Sequence, residues 1–260
     1  MTADKQPWTY IITGDVRSGA GAVISGINNR KNAVCHVDLF HADAEKRKEA
    51  HIAYFGPPAS ENRPEWFVPL ETNPQQYINK TVFVPLREEI SVGCYLSYVT
   101  IQQLELYDWM EERYREGGFG VIQIVRNPVA CFVSLKQAEQ SGIWHMRRGR
   151  TTRRRMPFPI RLDAEELNVF CRTHAAVTAK IKHACSDRLE ISYRDLVTSY
   201  QRVMRSVFDH IELPELPELV QPTYSRLPNK PLPQRVTNWE ELLREVPKDV
   251  RDLMEKEDLL

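Results

Sequence analysis

The feature that most constrains the fold is a glycine-rich segment near the start of the chain, Asp15–Gly21 (DVRSGAG). The preceding run, Trp8–Thr13 (WTYIIT), is rich in β-branched and aromatic residues and predicts a strand. Apolar residues then recur at helical spacing from Ala22 to Ile27. The order strand, tight loop, helix is the opening unit of an α/β fold.

Further strand and helix patterns alternate along the chain. Strands are predicted over Ala33–Phe40, Val92–Leu96, Val121–Val125 and Leu189–Tyr193. Helices are predicted over Ile101–Glu116, from Pro128 to about Gln140, over Asp163–Ala184 and over Asp195–Glu212. This alternation predicts a three-layer α/β fold in which helices flank a central parallel sheet. In such a sheet ligands bind at the carboxyl ends of the strands.

Length and composition favour one domain that spans residues 1–260. The run RRGRTTRRR at 147–155 carries six arginines and no acid, and we expect a mobile basic loop over 144–160. That loop is either a solvated surface or an anion-attracting lid beside a site. The stretch 214–236 is proline-rich and is expected to be irregular.

The composition also bounds the location and the partners. The first strand begins within ten residues of Met1, and no apolar run approaches the roughly 20 residues that cross a bilayer. A cytoplasmic protein without a membrane span is therefore expected. Lysine plus arginine and aspartate plus glutamate balance at 35 each, which argues against general nucleic-acid binding. The five cysteines are widely spread and are expected to be reduced core residues.

The glycine-rich segment is suited to an anion. Glycines permit close approach of backbone N–H groups at a helix N-terminus, Arg17 adds a charge, and Ser18 can donate a hydrogen bond. The alternative is that the glycines serve turn geometry alone. A kinase loop reads GxxxxGK followed by Ser or Thr, whereas Gly19 is followed by Ala20–Ala22, without lysine or hydroxyl. The loop lacks a magnesium ligand of that type.

The segment Asp15–Gly21 resembles the PRSGTT element of sulfotransferases that use 3′-phosphoadenosine 5′-phosphosulfate (PAPS). A second family element is an arginine at a strand end with a serine eight residues later, matched by Arg126-Asn127-Pro128 and Ser134. A third is YxDL, matched by Tyr193-Arg194-Asp195-Leu196. Asn229–Leu242 and Cys35–His41 are similar to segments of bacterial carbohydrate sulfotransferases of the nodulation-factor and trehalose type. The resemblance implies a P-loop-like sulfotransferase fold.

The resemblance assigns the donor-binding residues. It implies that the loop binds the 5′-phosphosulfate and that Arg126 and Ser134 bind the 3′-phosphate. Tyr193 and the basic residues Lys230 and Arg235 complete the expected donor site. The full expected set is Arg17, Ser18, Gly19, Ala20, Gly21, Ala22, Arg126, Ser134, Tyr193, Lys230 and Arg235. The family usually has a hydroxyl residue at the positions of Ala20 and Gly21, so this loop lacks two side-chain donors to the phosphosulfate.

Sulfuryl transfer needs a general base beside the acceptor hydroxyl. By the resemblance Asp38 is the first candidate, followed by His41 and His36, because imidazole titrates near neutral pH. Strand alternation would place Asp38 and His36 on one face. Arg17 is expected to offset charge on the leaving oxygen. His174 lies on the apolar stripe of the helix 163–184 and is expected to be a packed core residue.

The sequence therefore predicts a PAPS-dependent sulfotransferase that acts on a hydroxyl of a small-molecule or carbohydrate acceptor, with no metal. One alternative is a catalytically degenerate nucleotide-binding or interaction protein on the same fold. The other is a P-loop-type kinase. The sequence identifies neither the acceptor nor the oligomeric state.

Overall fold

The computed structural model describes residues 7–40, 44–55, 70, 73–85, 89–144, 158–214 and 230–256. The strands in this part of the chain are β1 (Trp8–Gly14), β2 (Ala33–His36), β3 (Ser91–Ser97), β4 (Phe119–Val125) and β5 (Leu189–Ser192). They form one sheet in the order β2-β3-β1-β4-β5, and every neighbouring pair is parallel. The predicted parallel α/β sheet is confirmed.

Helices follow each strand. They are α1 (Ala20–Asn28), α2 (Ala44–Phe55), α3 (Pro74–Tyr77), α4 (Tyr98–Gln103), α5 (Tyr107–Glu116), α6 (Pro128–Ser141), α7 (Ala164–Ala184), α8 (Tyr193–Thr198), α9 (Tyr200–His210), α10 (Leu232–Arg235), α11 (Trp239–Glu245) and α12 (Lys248–Glu255). A π-helical turn, Ile78–Val82, directly follows α3. No described helix is long and apolar enough to cross a bilayer.

The two faces of the sheet carry separate apolar cores, because successive side chains of a strand point to opposite faces. Tyr10 and Ile12 of β1 pack with α1 and α9 on one face. Ile11 packs with α4, α5 and α7 on the other. All three side chains are completely buried, and each buried side chain of this size contributes roughly 1.5–3 kcal/mol. A third apolar cluster joins α6 and α7 to the helices after residue 230.

The helices that follow β1 and β4 leave the sheet toward opposite faces. Helix α1 packs against α9, whereas α6 packs against α7. In register, Gly14 at the end of β1 pairs with Ile124 near the end of β4. A crevice forms outside the carboxyl ends of a parallel sheet where the crossovers diverge in this way. The fold therefore locates the site between the ends of β1 and β4.

Two predicted elements are shorter than the sequence patterns indicate. Strand β2 ends at His36, because Asp38 adopts a left-handed backbone conformation (φ 61°) that no strand accommodates. The predicted helix 101–116 is two helices, α4 and α5, separated at Glu105 (φ 51°). The apolar periodicity continues across that break, and therefore does not reveal it.

The predicted helix over Asp195–Glu212 is likewise two helices, α8 and α9, which meet at Ser199. Asn238, at the N-terminus of α11, does not cap that helix with its side chain. Its amide instead accepts from the N–H of Leu162 (3.1 Å) and donates to the carbonyl of Leu162 (2.9 Å).

The cysteine prediction is confirmed, since all five cysteines are buried and free. The basic run 147–155 lies outside the described residues. Of the proline-rich stretch 214–236, residue 214 and residues 230–236 are described. The latter include the short helix α10, so that part of the stretch is ordered into a helical turn.

Candidate functional site

The loop between β1 and α1 turns sharply at Gly19. This residue is the N-cap of α1 and has φ 102°, a conformation that glycine adopts without a steric cost. A Cβ at this position would stand 2.9 Å from Leu196 Cδ2 and 3.0 Å from Tyr193 Cδ2. The YxDL segment at the start of α8 therefore packs directly on the loop, and only glycine fits between them.

Arg17 lies inside this loop in a left-handed backbone conformation (φ 69°). Its Nε donates to Ser134 Oγ at 3.2 Å, and its Nη1 donates to the carbonyl of Trp144. A non-glycine residue in the left-handed region carries strain, and such strain is concentrated at functional sites. The loop thus holds one guanidinium against the helix that follows β4.

Arg126 is two residues beyond Ile124 and points back toward the same loop. Its Nη1 donates to the carbonyl oxygen of Arg17 at 2.9 Å. Its guanidinium lies over the ring of Tyr193, 3.9 Å from the centroid, in a cation–π arrangement. Arg17, Arg126, Ser134 and Tyr193 therefore meet at one place, although they come from three separate strand–helix junctions.

The two guanidinium groups influence each other electrostatically. Burial lowers the pKa of Arg17, and the nearby charge of Arg126 lowers it further. Two cations that approach in a partly buried site repel each other, and a bound anion relieves that repulsion. The arrangement therefore favours an anionic ligand.

Helix caps fix the two junctions that carry Arg126 and Tyr193. Asn127 accepts hydrogen bonds from the N–H groups of Val129 and Ala130, and Pro128 is the first residue of α6, as predicted. Ser192 caps α8 by accepting from the N–H of Asp195, and its own hydroxyl donates to the Asp195 carboxylate at 2.7 Å. These local caps set where the arginine and the tyrosine point.

The remaining loop residues differ in the hydrogen-bond donors that they can present to an anion. Ser18 is buried, and its hydroxyl has no hydrogen-bond partner among the described residues. A buried hydroxyl without a partner, in the same loop as Arg17, is a candidate donor to an anion. Ala20 packs its side chain into an apolar core, so it can contribute only its backbone. The N–H of Ala22 donates to the carbonyl of Gly19 at 3.0 Å, whereas Ala20 and Gly21 are early helical positions that lack intrahelical acceptors.

The two C-terminal basic residues of the expected donor site, Lys230 and Arg235, have different environments. Arg235 is buried and donates from Nε and Nη2 to Gln137 Oε1, at 3.2 and 2.7 Å. Gln137 is one helical turn after Ser134 on α6, so Arg235 flanks the same helix. Lys230 is exposed and makes no hydrogen bond to the described residues of the loop. The structure brings Arg235 to the helix of Ser134.

The three candidate bases have different environments. Asp38 is exposed just beyond β2, and its carboxylate helps raise the pKa of Tyr95, which burial raises most. His36 is buried, its ring meets Tyr54 edge to face at 4.5 Å, and burial lowers its pKa to about 4. Because β2 ends at His36, strand alternation does not relate this ring to Asp38. His41 lies outside the described residues.

A pairing that the sequence did not predict joins the loop to α7. The carboxylate of Asp15, at the end of β1, is hydrogen-bonded to Nδ1 of His174. The ring of His174 also meets that of Tyr98 edge to face, with centroids 5.4 Å apart. His174 is packed, with 12% of its side chain exposed, and it also bonds a carboxylate. The apolar spacing around His174 gives no indication of this partner, because Asp15 is 159 residues away in sequence.

Among the described residues, no three or more His, Cys, Asp or Glu side chains cluster in a way that would hold a metal ion.

Comparisons with known proteins give structural similarity alone. No protein-family model matches the chain, and no curated protein matches it. Its structure is similar to a sulfotransferase from Alicyclobacillus acidocaldarius, at 14% identity and a TM-score of 0.45, covering 84% of this chain and 86% of that one. It is also similar to the sulfotransferase domain of the Synechococcus PCC 7002 olefin synthase, at 12% identity and a TM-score of 0.44, covering 97% and 95%.

Proposed function

We propose that this chain is a PAPS-dependent sulfotransferase that transfers a sulfuryl group to a hydroxyl of a small-molecule or carbohydrate acceptor. The observation that supports this most strongly is the meeting of Arg17, Arg126, Ser134 and Tyr193 at the β1/β4 crevice. These are residues of the three motifs in which the sequence resembles that family.

The residues present fit an anionic nucleotide donor. Ser18 has a buried hydroxyl without a partner among the described residues, and the N–H groups of Ala20 and Gly21, at the start of α1, lack intrahelical acceptors. The guanidinium of Arg126 can bind a phosphate through two parallel hydrogen bonds. Tyr193 orients that guanidinium from one side. We assign the loop and Arg17 to the phosphosulfate end, and Arg126 with Ser134 to the 3′-phosphate.

The donor supplies an activated sulfuryl group with a phosphate oxygen as the leaving atom. Arg17 would offset the charge that develops on that oxygen, which is electrostatic stabilisation by a fixed donor. The acceptor hydroxyl needs a general base within hydrogen-bond reach. Of the bases that the resemblance names, Asp38 is exposed just beyond β2, whereas His36 is enclosed and neutral near pH 7.

A ligand screen tests this proposal. Adenosine 3′,5′-bisphosphate in EDTA is expected to raise the melting temperature, because a ligand that binds only the native state stabilises it. ATP with magnesium is expected to have a smaller effect, since the loop has neither the lysine nor the hydroxyl of a kinase loop. Stabilisation by ATP–magnesium alone would support the kinase alternative.

Activity is then tested with ³⁵S-labelled PAPS against a panel of sugars, phenols and lipid-linked alcohols. Transfer of label to at least one acceptor is expected. Binding of the bisphosphate without transfer to any acceptor in the panel would instead support the degenerate nucleotide-binding protein.

A further inference from the structure

The pairing of Asp15 and His174 lies directly beside the residues assigned to the donor. Asp15 is two residues before Arg17 in the loop, and its carboxylate is almost fully buried. His174 reaches it from α7, on the face of the sheet opposite α1. A buried carboxylate hydrogen-bonded to one imidazole nitrogen is the arrangement that orients a general base.

The hydrogen bond determines which nitrogen of His174 is available. Because Nδ1 is bonded to the carboxylate, the neutral ring carries its proton on Nδ1 and leaves the lone pair on Nε2. No other hydrogen bond joins the ring to a described residue, and the side chain retains 12% of its exposure. Nε2 therefore has no partner among the described residues and can accept a proton.

A polar chain on the same face holds the ring in place. The ring of Tyr98 lies against His174, and the Tyr98 hydroxyl accepts from Gln123 Nε2 at 2.7 Å. The other amide atom of Gln123, Oε1, accepts from Arg188 Nε. Side chains fixed by a buried network keep their orientation without a reorganisation cost during reaction.

The position of the pair also favours it over Asp38. Asp38 follows β2, and β3 separates β2 from β1. At about 4.8 Å between neighbouring strands, β2 lies about 10 Å from β1, and Asp38 is two residues beyond the end of β2. His174 is instead bonded to the residue that immediately follows β1. A base must lie within hydrogen-bond reach of the hydroxyl that attacks at the loop.

We infer that His174 is the general base of the transfer and that Asp15 is its positioning residue; this inference rests on the proposed function. The acceptor oxygen bonds to sulfur as the bond between sulfur and the bridging phosphate oxygen breaks. The hydroxyl proton goes to Nε2 of His174. The products are the sulfate ester, adenosine 3′,5′-bisphosphate and the protonated imidazole, which returns its proton to solvent.

The first test measures the accessibility of the imidazole and needs no turnover. Diethyl pyrocarbonate acylates accessible neutral imidazoles, and mass spectrometry of peptides locates the product. His174 is expected to react, and saturating adenosine 3′,5′-bisphosphate is expected to slow its reaction at least tenfold. Two histidines serve as internal controls. His183, exposed on the same helix, should react equally with and without the bisphosphate, and His36, which is buried, should not react.

The second test separates catalysis from packing. In His174→Asn the amide nitrogen overlays Nδ1 and retains the bond to Asp15, but nothing replaces Nε2. We expect this variant to lower transfer of label from ³⁵S-PAPS, with water or a panel compound as acceptor, by about 100-fold or more. The bisphosphate affinity should stay within threefold. His183→Asn is the matched control and should retain activity.

The outcomes distinguish the two proposals. If the bisphosphate raises the melting temperature but His174 is unreactive, or reacts equally in its presence, this inference is overturned and the proposed function stands. Activity of His174→Asn within threefold of wild type overturns it as well. If the bisphosphate does not bind, both proposals fall together.

Discussion

Nε of Arg17 and Oγ of Ser134 lie 3.2 Å apart, although 117 residues separate them in the chain. The contact joins the loop after β1 to the helix after β4, which are neighbours because β1 and β4 pair in the sheet. A parallel sheet brings the ends of distant strands to one edge, and this contact is a direct consequence of the strand order. It brings two separate motifs together at the proposed donor site.

The guanidinium of Arg126 should contribute shape as well as charge. Arg126→Lys keeps the charge but loses the planar fork and the stacking on Tyr193, and should weaken bisphosphate binding about tenfold. Arg126→Ala should weaken it about 100-fold, since a charged hydrogen bond contributes about 1.5–3 kcal/mol. Isothermal titration calorimetry measures both. Arg205→Ala, at an exposed arginine of α9, is the control, and unchanged affinity in Arg126→Ala would remove this residue from the site.

The ring of Tyr193 should matter more than its hydroxyl. Tyr193→Phe preserves the cation–π contact with Arg126 and should bind the bisphosphate as wild type does. Tyr193→Leu removes the contact, which contributes about 0.5–2 kcal/mol, and should weaken binding roughly 2- to 30-fold. Equal affinities for the two variants would contradict a role for the ring.

Gly19→Ala should destabilise the fold and the site together. The new Cβ would meet Leu196 Cδ2 at 2.9 Å, and the backbone would retain φ 102°. We expect the free energy of unfolding to fall by about 2 kcal/mol or more, as measured by urea denaturation. Gly118→Ala separates the two causes, since it has a positive φ of 69° but open space around its Cβ. Its free energy of unfolding should fall only by the cost of the backbone strain, about 1–2 kcal/mol.

Burial of His36 makes stability depend on pH. Its pKa falls to about 4 in the fold, from about 6.5 in the unfolded chain. The unfolded chain therefore binds a proton between these values that the folded chain does not, and stability decreases as pH falls from 6.5 toward 4. The loss attributable to His36 is about 3 kcal/mol.

The difference in unfolding free energy between wild type and His36→Leu, at pH 7 and pH 4.5, measures this contribution. His210, whose pKa burial also lowers, is present in both proteins and cancels. A difference that does not change with pH would show that His36 is accessible to protons in the fold.

The sheet was predictable from sequence because apolar periodicity is a local signal. All five strands were predicted, as was a helix over Asp163–Ala184 that corresponds to α7. The breaks at Asp38 and Glu105 were not found, because they depend on single left-handed residues within otherwise regular patterns. Such conformations are uncommon outside glycine and leave no clear mark in composition.

The meeting of the motif residues was predictable from the sequence, whereas the contact between Asp15 and His174 was not. The pairing of β1 with β4 brings Arg17 and Arg126 to one edge of the sheet. The pairing of Asp15 with His174 depends on how α7 crosses the sheet, and the spacing of His174 within an apolar stripe indicates its packing but not this partner. The sequence did carry a signal for this contact. It was a polar residue, His174, within an apolar helical stripe, together with a carboxylate, Asp15, at the end of a strand.

The most direct test of the account is a calorimetric titration of adenosine 3′,5′-bisphosphate, in EDTA, into wild type and the double variant Arg17→Ala/Arg126→Ala. We predict magnesium-independent 1:1 binding by the wild type. The double variant should bind at least 100-fold more weakly, because two charged donors to the phosphates are lost. Equal affinity in the two proteins, or no binding by either, would contradict an anion site at the ends of β1 and β4.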